Sequence, residues 1–525
     1  MQAQPPSQPD SPAEAPRRLM RSSIITSAGT LLSRVLGMVR EIVFAALFGD
    51  GAGADAFFVA WRIPNFLRRL FGEGAFSQAF VPVLAEYRQK RSVEEVKRLV
   101  DHIGGTLSLV LLGVTVLGII GAPVVAALFA WGYLDQPEKF ELLVSMLRIT
   151  FPYLFLICLT GFAGAILNSY GNFAVPALTP VWLNITLIAS ALLLARFFEE
   201  PAFALAWGVL LAGLIQLMFQ VPFLAHLRML PRPRLRPKHE GVTKVVTLML
   251  PVMFSVSVGQ INLLIDSALA TQIEGDGSVA WLYYADRLLE LPLGGLAIAI
   301  ATVILPTLSR IHSKGDEAEF VETLKWGLRC ILALGIPATV ALIVLAQPLV
   351  ITLYQRGEFG PESVLPVARA LQAFSIGLFA LMAVKILASA YFSRQDTRTP
   401  VRYGVISMVS NIVLNLALIV PLAHVGLALA TGVAALINAS LLARGLLQRG
   451  ALVLDAAWWN FALKVVFASA VMLAVLLTIR LSPANWLAWN DMTRAVAIVL
   501  VCIAGLLSYV LTLLAVGVRP KHFHA

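Results

Sequence analysis

Charge is scarce in this chain. Only 13% of its 525 residues are Asp, Glu, Lys or Arg, about half of what a soluble domain carries. Cysteine is scarcer still. Cys158, Cys330 and Cys502 all sit within apolar runs, without the paired spacing of a metal site or disulfide framework, and read as small packing residues. Neither HExxH nor GxxxxGK[ST] occurs, which excludes a zincin-type metal site and a Walker-type nucleotide loop of the chain's own. The 7 histidines are scattered, mostly in loops and the tail. No catalytic constellation is visible, and the expectation is a protein that is not an enzyme and carries no cofactor.

What is abundant is apolar length. The chain is 58% hydrophobic, with mean hydropathy +0.82. Its apolar runs of about 20 residues are each long enough to cross a hydrocarbon core roughly 30 Å thick. They are continuous rather than alternating, which excludes a β-barrel. The expected fold is an all-α polytopic membrane protein with about 14 transmembrane helices. These fall near residues 24–48, 55–86, 99–130, 141–167, 174–196, 202–225, 246–271, 279–308, 326–345, 363–392, 403–420, 426–442, 458–479 and 494–516. The ninth is expected to begin earlier, as an amphipathic stretch on the cytoplasmic surface. Residues 1–22 read as a disordered basic tail, with the first helix retained as an anchor.

The net charge of +10 follows the membrane and gives no argument for nucleic acid. Basic loops alternate with acidic or neutral ones: YRQKRSVEEVKR, HLRMLPRPRLRPKHEG, SRQDTRTPVR and VRPKHFHA against DQPEKFE, FFEEP and QIEGDGS. Lys and Arg number roughly 24 on the first side against about 3 on the second, which places both termini in the cytoplasm. Arg196, Lys464 and Arg494, near helix ends, are expected to snorkel to an interface.

The chain also repeats. VPVLAEYRQK matches LPTLSRIHSK, LNSYGNFAVP matches YFSRQDTRTP, and APVVAALFAWG matches QPLVITLYQRG, at offsets of 224 or 225 residues. A duplicated six-helix unit follows, with both copies in one orientation around an axis along the membrane normal and a cavity between two lobes. The expected parts are a tail (1–22), an N-terminal lobe (23–226), a basic linker (227–245), a C-terminal lobe (246–445), and two further helices with a tail (446–525).

Against this apolar background the intramembrane charges stand out. Arg34, Arg40, Arg62, Arg68 and Arg69 fall in the first two helices and Arg287 in the eighth, where the repeat sets it opposite Arg62. An arginine at the bilayer centre costs about 2.5–3.5 kcal/mol on insertion scales, so six imply a water-filled basic cavity. Their forked, permanently charged donors suit phosphate oxygens, a diphosphate above all. Glu41, Asp55, Glu73, Asp286 and Glu290 are charge-balancing or gating candidates, and the plainer alternative is an ion-pair network between lobes. Lys385 is another cavity candidate. Asp266, Asn411, Asn415 and Thr431 could hold Na⁺ or pass a proton, or could simply make interhelical hydrogen bonds.

SRVLGMVRE, ADAFFVAWRIPNFLRRLFGEGAFSQAFVPVLAEY and SVAWLYYADRLLELP resemble the MurJ (MviN) family of bacterial lipid II flippases, over about residues 22–517. That family lies within the multidrug/oligosaccharidyl-lipid/polysaccharide exporter superfamily. The resemblance implies movement of lipid II, the undecaprenyl-diphosphate-linked disaccharide-peptide, from the cytoplasmic to the periplasmic leaflet of the inner membrane. It places family cavity arginines at Arg34, Arg40, Arg68 and Arg287 and acidic positions at Asp55, Glu73 and Glu290. Glu41 departs from the Asp often found there. Helices 13 and 14 would line a groove for the lipid tail. Na⁺, H⁺ or the membrane potential would drive resetting, and membrane lipids and cell-wall synthesis or division proteins are the other expected partners. Rival readings are a flippase for another polyprenyl-diphosphate-linked sugar, a cation-coupled multidrug exporter of the same fold, and a scaffold recruiting cell-wall enzymes.

Overall fold

In hydrocarbon a backbone N–H or C=O must find its partner within its own segment, so apolar runs of this length can only become helices. A computed structural model, describing residues 14–69, 75–235, 239–479 and 482–519, has helix at each of the fourteen expected segments. The first half contains α1 (Glu14–Phe48), α2 (Ala52–Arg68), α3 (Ala75–Lys90), α4 (Val93–Ile120), α5 (Ala122–Phe129), α6 (Pro137–Ser169), α7 (Ala174–Leu194) and α8 (Phe203–His226). Then come α9 (Glu240–Ala270), α10 (Ser278–Pro292), α11 (Ile298–Lys314), α12 (Glu317–Val344), α13 (Ala346–Leu353), α14 (Pro361–Ile376), α15 (Leu378–Ser393) and α16 (Arg398–Gln448). The chain closes with α17 (Ala456–Thr478), α18 (Pro483–Ala488) and α19 (Asp491–Ala515). Among the described residues nine helices are long and apolar enough to cross a membrane, or ten if the bent pair Ser278–Gly295 and Ala299–Lys314 counts as one span.

The element boundaries repeat as the sequence does. α4, α5, α6 and α7 begin 224 residues before α12, α13, α14 and α16 respectively, and α3 ends 224 residues before α11. Side-chain caps start several of these helices. Ser92 and Glu95 form a reciprocal capping box on α4, and Asp316 accepts from Glu319 N at 2.9 Å on α12; each satisfies donors a helix start leaves open.

Four details differ from the expected outline. α1 begins at Glu14, inside the expected tail, because EAPRRLMR is rich in strong helix formers. The eighth span is not one regular helix: a π-helical turn, Leu293–Ala297, follows Pro292 and bends the pair by 41°, as Pro292 has no N–H and Gly294 and Gly295 weaken the turn. The tenth is divided at Gly377, where the backbone packs against Gly432 so closely that a Cβ would meet its Cα. Arg494 does not snorkel. It is buried, and its guanidinium donates to Trp486 O and Leu487 O at 2.9 Å and Gln355 O at 3.1 Å.

The chain forms two compact units. One holds residues 1–47, 59–126 and 138–257; the other holds 48–58, 127–137 and 258–525. In the first, Phe76, Phe80 and Phe162 stack at 5.2–5.7 Å within a core built from α3, α4 and α6. In the second, α17 and α19 pack on α12, where Tyr509 donates to Ala333 O at 2.7 Å. The outer faces of that appended pair expose Trp459, Leu463, Phe467, Leu507 and Leu511, as lipid contact requires.

Asp396, in the loop before α16, accepts from Thr399 N at 3.0 Å, Thr399 Oγ1 at 2.7 Å and Arg449 at 2.8 Å. Burial alone would raise its pKa, but the hydrogen bonds from Arg449 and Thr399 prevail and lower it to about 2. A depressed carboxyl stabilises fully above its unfolded pKa of about 3.9 and loses that contribution as pH falls toward the folded value. We expect Asp396→Asn to cost about 1 kcal/mol at neutral pH. Thermal melts should show the gap between variant and parent closing between about pH 4 and 2.

Candidate functional site

Arg40 shows how the first unit accommodates charge. One guanidinium nitrogen donates to Asn184 Oδ1 on α7 at 3.0 Å, another pairs with Glu41, and the group lies 5.6 Å from the Phe44 ring centroid. Asn184 in turn donates to Ser33 O at 2.9 Å, which ties α7 to α1 next to Arg34 and one turn before Gly37. The Arg40 side chain is only 11% exposed and that of Glu41 3%. Arg34, on the same helix, is exposed.

α2 carries the next group. Arg62, Arg68 and Arg69 are all half-buried, and Arg68 Nε donates to Asn65 Oδ1 one turn earlier at 2.9 Å, which fixes the plane of its guanidinium. Arg68 and Asn65 line a cavity of ≈ 460 Å³ bounded by α2, α3, α6, α7 and α8. Trp61 and Tyr153 give it aromatic walls, with ring centroids 5.4 Å apart. Two buried glutamines on α8 also line it, both donating to Thr179: Gln216 to its carbonyl at 3.1 Å and Gln220 to its hydroxyl at 2.8 Å. Glu73 lies outside the described residues.

In the second unit Asp55 is fully buried and accepts from Gly277 N at 2.8 Å and Ala280 N at 2.9 Å. It therefore caps α10 from a distant part of the sequence, where the helix dipole favours an anion. Gly277 has φ +96°, a conformation that suits only glycine there. The neighbouring loop is tied to the same helix and to α14. Asp50 accepts from Trp281 Nε1 and, at 2.8 Å, from Ser363 Oγ, while Tyr284 donates to Gly49 O at 3.0 Å.

Further along α10, Arg287 pairs with Glu290 at 2.6 Å and lies 5.0 Å from the Tyr283 ring. That ring stacks on Phe58 at 3.9 Å. Asp286 is half-buried. Lys385 is exposed on α15 and makes no ion pair among the described residues.

Asp266, Asn411, Asn415 and Thr431 do come together. Asn415 Nδ2 donates to Asp266 Oδ1 at 2.6 Å and to Asn411 Oδ1 at 2.9 Å, and Thr431 Oγ1 donates to Asp266 Oδ2 at 3.2 Å. With its amide turned over, Asn411 instead donates to Asp266 Oδ1 at 3.1 Å and gives up the bond from Asn415. Three helices, α9 and the two arms of α16 on either side of Ala423, supply the set. Asn415 Oδ1 is buried without a hydrogen-bond partner among the described residues, an acceptor oxygen beside a carboxylate.

The sequence reading passed over Asn65, Asn184, Gln216 and Gln220. Their signal was present: Gln216 and Gln220 stand i,i+4 in the apolar run LIQLMFQV, and so share one helix face.

Comparison with known proteins bears on these sites. The family described as "Lipid II flippase MurJ" matches residues 44–497. A "Probable lipid II flippase MurJ" of Vibrio cholerae is 48% identical, covering 97% of this chain and 98% of that protein. The "Lipid II flippase MurJ" of Burkholderia cenocepacia is 41% identical over 86% of this chain and 89% of its own length. A solved structure titled "Lipid II flippase MurJ, inward closed conformation" superposes with TM-score 0.77 at 28% identity, covering 93% of this chain and 98% of that one. An inward-facing multidrug resistance MATE family transporter of the MOP superfamily shares the fold at TM-score 0.66 and 15% identity, covering 81% of this chain and 97% of that one.

The Asp55 cap yields a direct test. Asp55→Ala removes two charge-assisted hydrogen bonds from a buried helix start, a loss of about 2–4 kcal/mol. We expect a lower melting temperature for the purified variant. Asp55→Asn should recover part of it, because one carbonyl oxygen can still accept. An unchanged melt for Asp55→Ala would remove this assignment.

Proposed function

Because the chain belongs to the lipid II flippase MurJ family, we propose that it carries lipid II from the cytoplasmic to the periplasmic leaflet of the bacterial inner membrane, with both termini in the cytoplasm. The observation that carries the reading is the arginine set, Arg34, Arg40, Arg62, Arg68, Arg69 and Arg287, in a chain where charge is scarce. A diphosphate leaving water needs its lost hydration replaced, and guanidinium groups do this with paired, charge-assisted donors. Glu73, Asp286, Glu290 and Lys385 set the charge balance, so that binding stays weak enough for release, while Asp55 is committed to the start of α10.

The transport step is alternating access. The headgroup enters from the cytoplasm, the arginines hold it, and the two six-helix repeats move to release it outside while the polyprenyl tail stays in lipid. α17 and α19, with their apolar outer faces, suit contact with that tail. Resetting draws on Na⁺, H⁺ or the membrane potential. The Asp266 set fits a monovalent cation or a proton. It offers one carboxylate with amide and hydroxyl oxygens, including the buried Asn415 Oδ1, which has no hydrogen-bond partner among the described residues. Among the described residues no three His, Cys, Asp or Glu groups gather as a multivalent metal would favour. There Asp266 would carry the charge change, while Asn411, Asn415 and Thr431 would orient it. Cell-wall synthesis or division proteins remain the partners to seek at the cytoplasmic loops.

The test is lipid II exposure on the outer leaflet of cells depleted of this protein and of any redundant flippase. Exposure should fall on depletion and return with the parent chain. With Arg34→Ala or Arg287→Ala it should fall by on the order of tenfold, although the variants still insert. Unchanged exposure on depletion would overturn the assignment, and retained activity of both variants would favour a scaffold. Asp266→Asn should abolish any dependence of transport on Na⁺ or on pH while leaving lipid II binding intact.

A further inference from the structure

We propose that the cavity inside the first unit receives the sugar portion of the diphosphate-linked headgroup, with Gln216 and Gln220 as the residues that recognise it. The proposal rests on the flippase reading and adds to it a second recognition site, apart from diphosphate capture.

Size is the first argument. At ≈ 460 Å³ the cavity lies within the roughly 300–1,000 Å³ range of small-molecule sites, and exposed Asn168 on its wall marks a route in. Gly164 helps keep it open: a Cβ there would sit 3.7 Å from Gln220 Oε1 and 3.5 Å from Pro176 Cβ, so any larger side chain would enter the space.

The second argument is chemical. Gln216 and Gln220 are 2% and 1% exposed. Each amide donates to Thr179, and Thr179 Oγ1 itself donates to Val175 O at 3.0 Å. That chain of donors fixes the amides with their Oε1 atoms left over, and neither oxygen has a hydrogen-bond partner among the described residues. A buried acceptor without a donor costs about 1–3 kcal/mol. Two such oxygens among the residues that line one cavity suit a ligand rich in O–H or N–H groups.

The rest of the wall narrows the class. Trp61 and Tyr153 are among the lining residues, and aromatic rings suit the C–H faces of a pyranose. Arg68, oriented by Asn65, brings a cation to the same wall, where an acidic group is welcome. Hydroxyls or acetamido N–H groups at one place and negative charge at another describe a glycosyl diphosphate. Ordered water alone could also satisfy the two oxygens, and the experiment separates these occupants.

Full-length protein in lipid nanodiscs would be titrated with lipid II and with undecaprenyl diphosphate, which keeps the tail and both phosphates but lacks the sugars. The parent should bind lipid II more tightly. The double variant Gln216→Met, Gln220→Met keeps side-chain length and loses both acceptors. It should weaken lipid II about tenfold and leave undecaprenyl diphosphate within about twofold. Gly164→Val, which narrows the cavity while both glutamines remain in the sequence, should produce the same selective loss, whereas Arg68→Ala should weaken both ligands. Unchanged lipid II binding in both cavity variants would mean that water alone fills the space and would overturn the proposal. Equal losses for the two ligands would overturn it too, by making the glutamines structural. A parent protein that binds neither lipid would instead sink the flippase reading on which the proposal stands.

Discussion

The cost of leaving a polar or charged group unmatched in hydrocarbon governs where this chain can put its few charges. Several are matched by neighbours at once. Lys325, buried in α12, pairs with Glu322 at 2.8 Å and Asp455 at 2.6 Å, and Asp455 also caps α17. Arg494 is saturated by three backbone carbonyls. Asp55 is held by two backbone N–H groups at the start of α10. Each of these charges is fixed by architecture, and each would be misread if intramembrane charge were equated with function.

Duplication supplies the frame and divergence supplies the chemistry. The helix boundaries recur with a 224-residue offset, yet the polar content of the two copies has separated. The first carries Arg34, Arg40, Arg62, Arg68 and Arg69 in its first two expected helices, and the glutamine-lined cavity. The second carries Arg287 and the Asp266 set. A repeat whose halves had kept the same polar residues would offer a site of uniform character. Here one copy has become rich in groups that suit an anionic, hydroxylated headgroup. The other holds the carboxylate that suits a cation or proton.

Hydropathy made the helices and their repeat legible, since span length and the placement of Pro82, Pro123, Pro306 and Pro348 are local properties. The Asp266 set was legible as residue types, because an aspartate and two asparagines inside apolar runs need partners. What sequence could not supply was pairing at a distance. Asp55 reads as one more carboxylate until Gly277 and Ala280 are beside it. Arg494 lies near a helix end and so looks like a snorkelling residue, but α18 folds back to offer it carbonyls. Gln216 and Gln220 were passed over because an amide in a membrane helix ordinarily bonds a neighbouring helix. Theirs do so on one side only, a distinction that exists only in three dimensions.

A transport site must release what it binds, and the environments of the arginines differ in how well they permit this. Arg40 and Glu41 are 11% and 3% exposed, and breaking a buried pair of this kind costs about 3–5 kcal/mol. A diphosphate cannot cheaply take Glu41's place, so Arg40 would act on it mainly through its field. Arg287 and Glu290 are 27% and 46% exposed, and a pair so open to water contributes only about 0–1 kcal/mol. In the proposed transport its carboxylate would yield to a phosphate oxygen and return afterwards with little net change in free energy. Exchange of partners at small cost in both directions is what a carrier requires, and of these two ion pairs only Arg287–Glu290 allows it.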